Sequence, residues 1–118
     1  MATYSKQLLS GSTNGMGIKV AATATPGTLV HTAIAGTSAI DLIYLWVNNT
    51  DSAAHTITIE FGDATSPDHH LVDAFSIAAN SGQVQVCFGI PLQNGKTVKI
   101  FASAANVIIV HGYVNRVQ

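Results

Sequence analysis

Charge is what this chain has least of: five Lys/Arg and six Asp/Glu in 118 residues, or 9%, against roughly a quarter in an ordinary soluble domain. The basic residues Lys6, Lys19, Lys96, Lys99 and Arg116 are scattered, and the formal net charge is −1. Nucleic acid is therefore not an expected partner, because phosphate binding takes clustered cations that release counterions. Cysteine is as scarce. The single Cys87 excludes an internal disulfide, and with it a stapled secreted miniprotein. No apolar run approaches the roughly 20 residues of a membrane-spanning helix; the longest, residues 42–47, is strand-sized. The opening Met1-Ala2-Thr3-Tyr4-Ser5-Lys6 lacks the apolar core of a signal peptide. The expectation is a chain made in a cytoplasm, with no membrane partner.

What the chain does have is apolar surface: 47% of it is hydrophobic. A small domain buries only about 60–70% of what its unfolded chain exposes. Part of the remainder calls for cover from other copies or a partner, and near-zero charge removes the repulsion that would keep copies apart. The working surface is expected to be an interface.

The pattern is β almost throughout. Residues 1–17 contain Leu8-Leu9 and then the polar, Gly-rich Ser10-Gly11-Ser12-Thr13-Asn14-Gly15, which reads as an extended N-terminal arm. Short strands are expected at residues 18–20 and 28–35, separated by the Pro26-Gly27 turn. Residues 40–48 are apolar on both parities, so a central strand covered on both faces is expected. Residues 55–61 alternate cleanly, His55, Ile57, Ile59 and Phe61 opposing Thr56, Thr58 and Glu60, as a half-buried strand does. Residues 70–77 form a weaker strand. In residues 83–90, Val84, Val86, Phe88 and Ile90 oppose Gln83, Gln85, Cys87 and Gly89. Asn94-Gly95 is a hairpin signal, and residues 97–102 and 107–117 close the series.

About eight strands with turn signals every 8–12 residues, and no useful helical period, define an all-β fold. The expected architecture is an antiparallel two-sheet β-sandwich over residues 18–118, with a jelly roll as the economical topology. An immunoglobulin-like sandwich is the alternative, though without its paired cysteines.

Chemical motifs are few. His69-His70 lies beside Asp63, Asp68 and Asp73, and imidazole with carboxylate is a ligand set for zinc-like ions. Adjacent strand residues point to opposite faces, however, so a polar loop rim is the expectation and no metal is assigned. His31, His55 and His111 read as hydrogen-bonded histidines at strand ends, His55 and His111 sharing parity with core-facing neighbours. Cys87 reads as a buried small side chain. No Gly-x-Ser-x-Gly elbow occurs, no glycine motif cradles phosphate, and nothing in the spacing of Glu60 with Asp63 or Asp68 demands a glycosidase pair. Neither an enzyme nor a cofactor is expected. Trp46, in the most apolar strand, is expected in the core. Were it exposed with other aromatics, a carbohydrate-binding module would be the rival reading.

Five stretches carry a likeness. They are Leu8-Leu9-Ser10-Gly11-Ser12-Thr13-Asn14-Gly15 running into Ile18-Lys19-Val20-Ala21, Leu45-Trp46-Val47-Asn48-Asn49-Thr50, Thr58-Ile59-Glu60-Phe61-Gly62, Pro91-Leu92-Gln93-Asn94-Gly95, and His111-Gly112-Tyr113-Val114-Asn115-Arg116. In their order and texture the chain resembles the small all-β virion proteins of tailed bacteriophages, the capsid decoration (cement) type above all. The resemblance implies a protein that folds in the bacterial host cytoplasm and binds the outer surface of the assembled head. Its partners would be the major capsid protein and itself, as a homodimer or homotrimer, stabilising the shell by bridging capsomers. The same texture suits a neck, tail or fibre-associated component. The expected contact residues are the apolar groups of the arm, Tyr4, Leu8, Leu9 and Met16.

Overall fold

The computed structural model describes residues 2–118. Nine strands follow one another: β1 (Tyr4–Leu8), β2 (Ile18–Lys19), β3 (Thr28–Thr32), β4 (Ile40–Asn49), β5 (His55–Gly62), β6 (His70–Ile77), β7 (Val84–Leu92), β8 (Thr97–Ala102) and β9 (Ile108–Val117). No helix occurs among the described residues. One sheet runs β1-β9-β4-β7, with β2 also on β9; the other runs β3-β8-β5-β6. Every pairing is antiparallel. The pairs are nested along the chain, since β1 meets β9, β3 meets β8, β4 meets β7 and β5 meets β6.

Alternation decides what goes inside. Ile43, Leu45, Val47, Val110 and Val114 from the five-stranded sheet meet Val30, Ile57, Ile59, Val98 and Ile100 from the other in one core. Many of these are β-branched, which suits a pleated, buried surface. The architecture is all-β, two antiparallel sheets enclosing one core as a β-sandwich requires.

The first seventeen residues are not an unpaired arm along their described length (Met1 lies outside it). Tyr4–Leu8 form β1, in register with β9 from Tyr4–Val117 to Leu8–Tyr113. Ile18–Lys19 continue along the same strand opposite Val110 and Ile109. Between them the chain leaves the edge and reaches the other sheet. Gly11 N–H donates to the Val30 carbonyl, and Ser10 Oγ accepts from Thr32 N–H at 2.6 Å. The open edge of β3 is thereby covered.

Four further expectations are corrected. β4 is buried only on its odd residues, 41 to 49; the even ones, Trp46 among them, lie half-buried on an outer face, because the second sheet covers one side only. Thr58 and Glu60 are buried instead of solvated. Glu60 accepts from Gly27 N–H at 2.8 Å and from the Thr25 hydroxyl, and so ties residues 20–27 across the outer face of its sheet. In β7 the register slips twice, so adjacent Val86 and Cys87 are both buried while Phe88 is exposed. Asn94-Gly95 does take positive φ at both residues, yet it joins strands of different sheets instead of closing a hairpin.

Candidate functional site

The outer face of the five-stranded sheet is the most distinctive surface of the molecule. Cross-strand partners share a face, so the register places Tyr44 beside Tyr113 and Phe88, and Trp46 beside His111. Ile109, His111 and Tyr113 therefore point outward, and the expectation that His111 shares a core-facing parity is overturned: the buried residues of β9 are Ile108, Val110 and Val114. From β1, Tyr4, Lys6 and Leu8 project to the same side as Tyr113.

Tyr44 and Tyr113 stack with centroids 4.9 Å apart and planes 12° from parallel. Trp46 lies 6.1 Å from Tyr113 at 21°, and Lys6 Nζ sits 5.2 Å above the Tyr113 ring. Two glycines make the row possible. A Cβ on Gly89, whose φ is +77°, would stand 2.8 Å from the Tyr44 ring, and one on Gly112 would stand 2.1 Å from the Tyr44 carbonyl oxygen. Phe88, Tyr4 and Leu8 flank the row with relative exposures of 66%, 65% and 60%. Large exposed apolar patches of this kind mark interaction sites.

Among the described residues, no Asp or Glu side chain shares this face. Asp41 points inward, Glu60 and Asp73 belong to the other sheet, and Asp51, Asp63 and Asp68 lie in loops. Of the expected contact residues, Tyr4 and Leu8 are on the face, and Met16 is exposed in the loop that follows. Leu9, at 3% exposure, belongs to the core and anchors the segment from inside.

Titratable groups elsewhere serve the fold. Asp41 is wholly buried and accepts from Arg116 Nε at 2.7 Å and Nη2 at 3.1 Å, from Ile34 N–H, and from His31 Nε2 at 2.9 Å. Burial pushes its carboxyl up, but the bonds from Arg116, His31 and Ile34 outweigh it and hold it below the ordinary value. His55 bonds Asp51 at 2.6 Å and lies 3.2 Å from Ser103 Oγ. That bond, with the Ser52 amide, lowers the Asp51 carboxyl. Burial pushes the Cys87 thiol up, which disfavours the reactive thiolate. His70 stands 3.7 Å from Asp73, and the Nδ1 atoms of His69 and His70 have no partner. No group of three metal-ligating side chains occurs among the described residues. A groove of about 530 Å³, lined by Ile40, Pro91, Leu92, Gln93, Asn94 and Lys96, offers Lys96 as its one titratable group.

No protein-family model matches the chain, and neither a curated protein nor a solved structure is similar to it at a significant level.

Proposed function

We propose that this chain is a structural assembly protein of the capsid decoration type, a jelly roll that docks onto other protein subunits through the outer face of its five-stranded sheet. One observation carries the reading: a chain with 9% charged residues presents a sheet face of stacked and exposed aromatics with no Asp or Glu side chain among its described residues. Such a face is cheap to desolvate, and Tyr and Trp dominate the energetics of interfaces.

The nested pairing supports the jelly roll. First strand with last, and so on inward, wrapped into two layers (four strands each, with the short β2 added to one), is how two Greek keys combine in that fold. Viral capsid domains are among its users. Many weak contacts repeated over a symmetric shell then add up through avidity. The partners are the major capsid protein and other copies of the chain, and the place of action is the virion surface; a neck, tail or fibre-associated position is the other virion reading.

Counting copies of the chain per major capsid protein in purified virions tests this. A ratio near one, or a simple fraction of it, is expected. A dozen copies or fewer would move the protein to the neck or tail, and complete absence would overturn the virion reading.

A carbohydrate-binding module is the second reading, favoured by the outward position of Trp46. Sugar stacking needs ring faces open to solvent, however, and Tyr113 already has Tyr44 stacked on it and Lys6 above it. Binding on a glycan array, with Trp46 fluorescence quenched by the sugar, would establish this reading over the first.

A further inference from the structure

The geometry points to a second copy of this chain as the occupant of the outer face of the five-stranded sheet, the two sheets packing face to face about a two-fold axis. The inference rests on the reading of the chain as an assembly protein and names the first partner of that surface.

Area is the first argument. The ten residues of β4 extend about 33 Å, and three long strands plus the β1/β2 edge, about 4.8 Å apart, make a footprint of roughly 33 by 19 Å. With the fourth row made of the short β1 and β2 end to end along β9, that is on the order of 600 Å² in projection. Side-chain relief brings it close to the ~800 Å² per partner of a standard stable interface. The face is large enough for one complete dimer contact.

Charge is the second. The net charge of −1 sets up no repulsion between copies. The two cationic side chains on the face among the described residues, Lys6 and Lys19, both lie at the β1/β2 edge. They are too few to select an acidic partner. A two-fold axis along the strands sets that edge against the β7 edge of the other copy, where Phe88 is exposed, so no lysine meets a lysine.

The layout within the face agrees. Tyr44, Trp46 and Tyr113 sit on the two inner strands β4 and β9, with Leu8 and Phe88 to either side. Anchors at the centre with apolar flanks are the pattern of an interface whose binding energy is concentrated. Edge pairing, the other route for a β protein, is obstructed at one edge of each sheet. β7 is broken by two register slips, by Gly89 at positive φ and by Pro91, devices that blunt an edge. The edge of β3 is covered by residues 10 and 11. A face used isologously closes after two copies and makes no fibre.

Sedimentation of the full chain over a dilution series tests the inference, with the emission of Trp46, the single tryptophan, as reporter of the face. The expected result is a species of twice 12.3 kDa that dissociates on dilution as Trp46 emission shifts to the red. Leu8→Glu and Phe88→Glu alter exposed side chains on opposite flanks. Each should weaken the dimer on the order of tenfold or more while the far-UV spectrum and melting temperature hold. A wild-type chain that stays monomeric at high concentration would overturn the inference, and so would a dimer indifferent to both substitutions. Adding the chain to phage heads that lack it separates the two proposals. A monomer that coats heads overturns the dimer alone, whereas a Leu8/Phe88-dependent dimer that ignores heads supports the dimer and overturns decoration.

Discussion

The imidazole of His31 and the carboxylate of Asp41 lie 2.9 Å apart, and that one bond joins the two sheets, since His31 is on β3 and Asp41 on β4. Ser10 N–H donates to His31 Nδ1 at 3.0 Å. The network therefore assigns the ring proton to Nε2, which donates to Asp41. Arg116 on β9 donates twice to the same carboxylate. A charge this deep is tolerated because both oxygens have donors, Arg116 Nε on Oδ1 and His31, Ile34 and Arg116 Nη2 on Oδ2.

Asp41→Asn should lower stability at neutral pH by about 3 kcal/mol, because it leaves Arg116 and His31 without their anion. The pH dependence has a definite sign. A carboxyl held below its ordinary value of 3.8 contributes fully above that value, and its contribution shrinks as pH falls through the lower folded-state value. Thermal melts of the native chain should therefore lose stability below about pH 4, and the Asn variant should show a flatter acid limb. An unchanged limb would assign the acid sensitivity elsewhere, with Asp51 beside His55 next in line.

Glu60→Ala should free residues 23–27 without opening the core. Thr25 and Gly27 lose their common acceptor, while Val20 and Ala22 keep their backbone bonds to Asn106 and Ala102. Leaving buried donors without their acceptor costs about 1–3 kcal/mol. Hydrogen exchange should quicken at the Gly27 amide and leave the β5 and β8 amides protected. Protection unchanged at Gly27 would show that Glu60 does not hold the segment.

Much of this fold is legible in the chain. Alternation and turn residues locate eight of the nine strands, because side-chain period and backbone chirality are local. β1 escapes because Tyr4, Lys6 and Leu8 make no apolar face of their own. Their strand exists through β9, more than a hundred residues away in sequence. Trp46 escapes for a different reason. Apolar residues on both parities of a strand read as cover on both faces, whereas here the second face is an outer surface. The scarcity of charge was the sign that such a surface remained.

Parity alone also marks Asp41. It falls in step with Ile43, Leu45 and Val47, so a buried carboxylate was readable on β4. Its partner was not, because Arg116 is 75 residues distant and only the β4–β9 register brings the two together. The bulges of β7 are equally hidden, since Gln83 to Ile90 alternates in sequence as though the register never slipped.

Gly112→Ala and Gly89→Ala should fail differently. The first puts a methyl 2.1 Å from the Tyr44 carbonyl oxygen between two inner strands, where backbone has no room to yield. Its cost should reach or exceed the about 1–3 kcal/mol of ordinary overpacking. The second strains a φ of +77° and meets only the Tyr44 ring, at a cost of about 1–2 kcal/mol. It should keep the fold and disturb the tyrosine stack, visible as a changed near-UV spectrum with an intact far-UV one. Equal losses from the two would contradict the close approach of β4 and β9.

Leu45 and Trp46 are neighbours on β4 that point to opposite sides of the sheet, and their truncation separates stability from association. Leu45 is fully buried, so Leu45→Ala should cost about 2–5 kcal/mol. Trp46 is half-buried and its main specific contact is the stack on Tyr113, a pair worth about 0.5–1.5 kcal/mol. Trp46→Ala should therefore unfold only slightly earlier in denaturant than the native chain, yet abolish self-association. If it proved as destabilising as Leu45→Ala, the tryptophan would be part of the folding core and the outer face would lose its central anchor. A near-native melt with lost association would mean that the most expensive side chain in the sequence is placed where the monomer has little use for it.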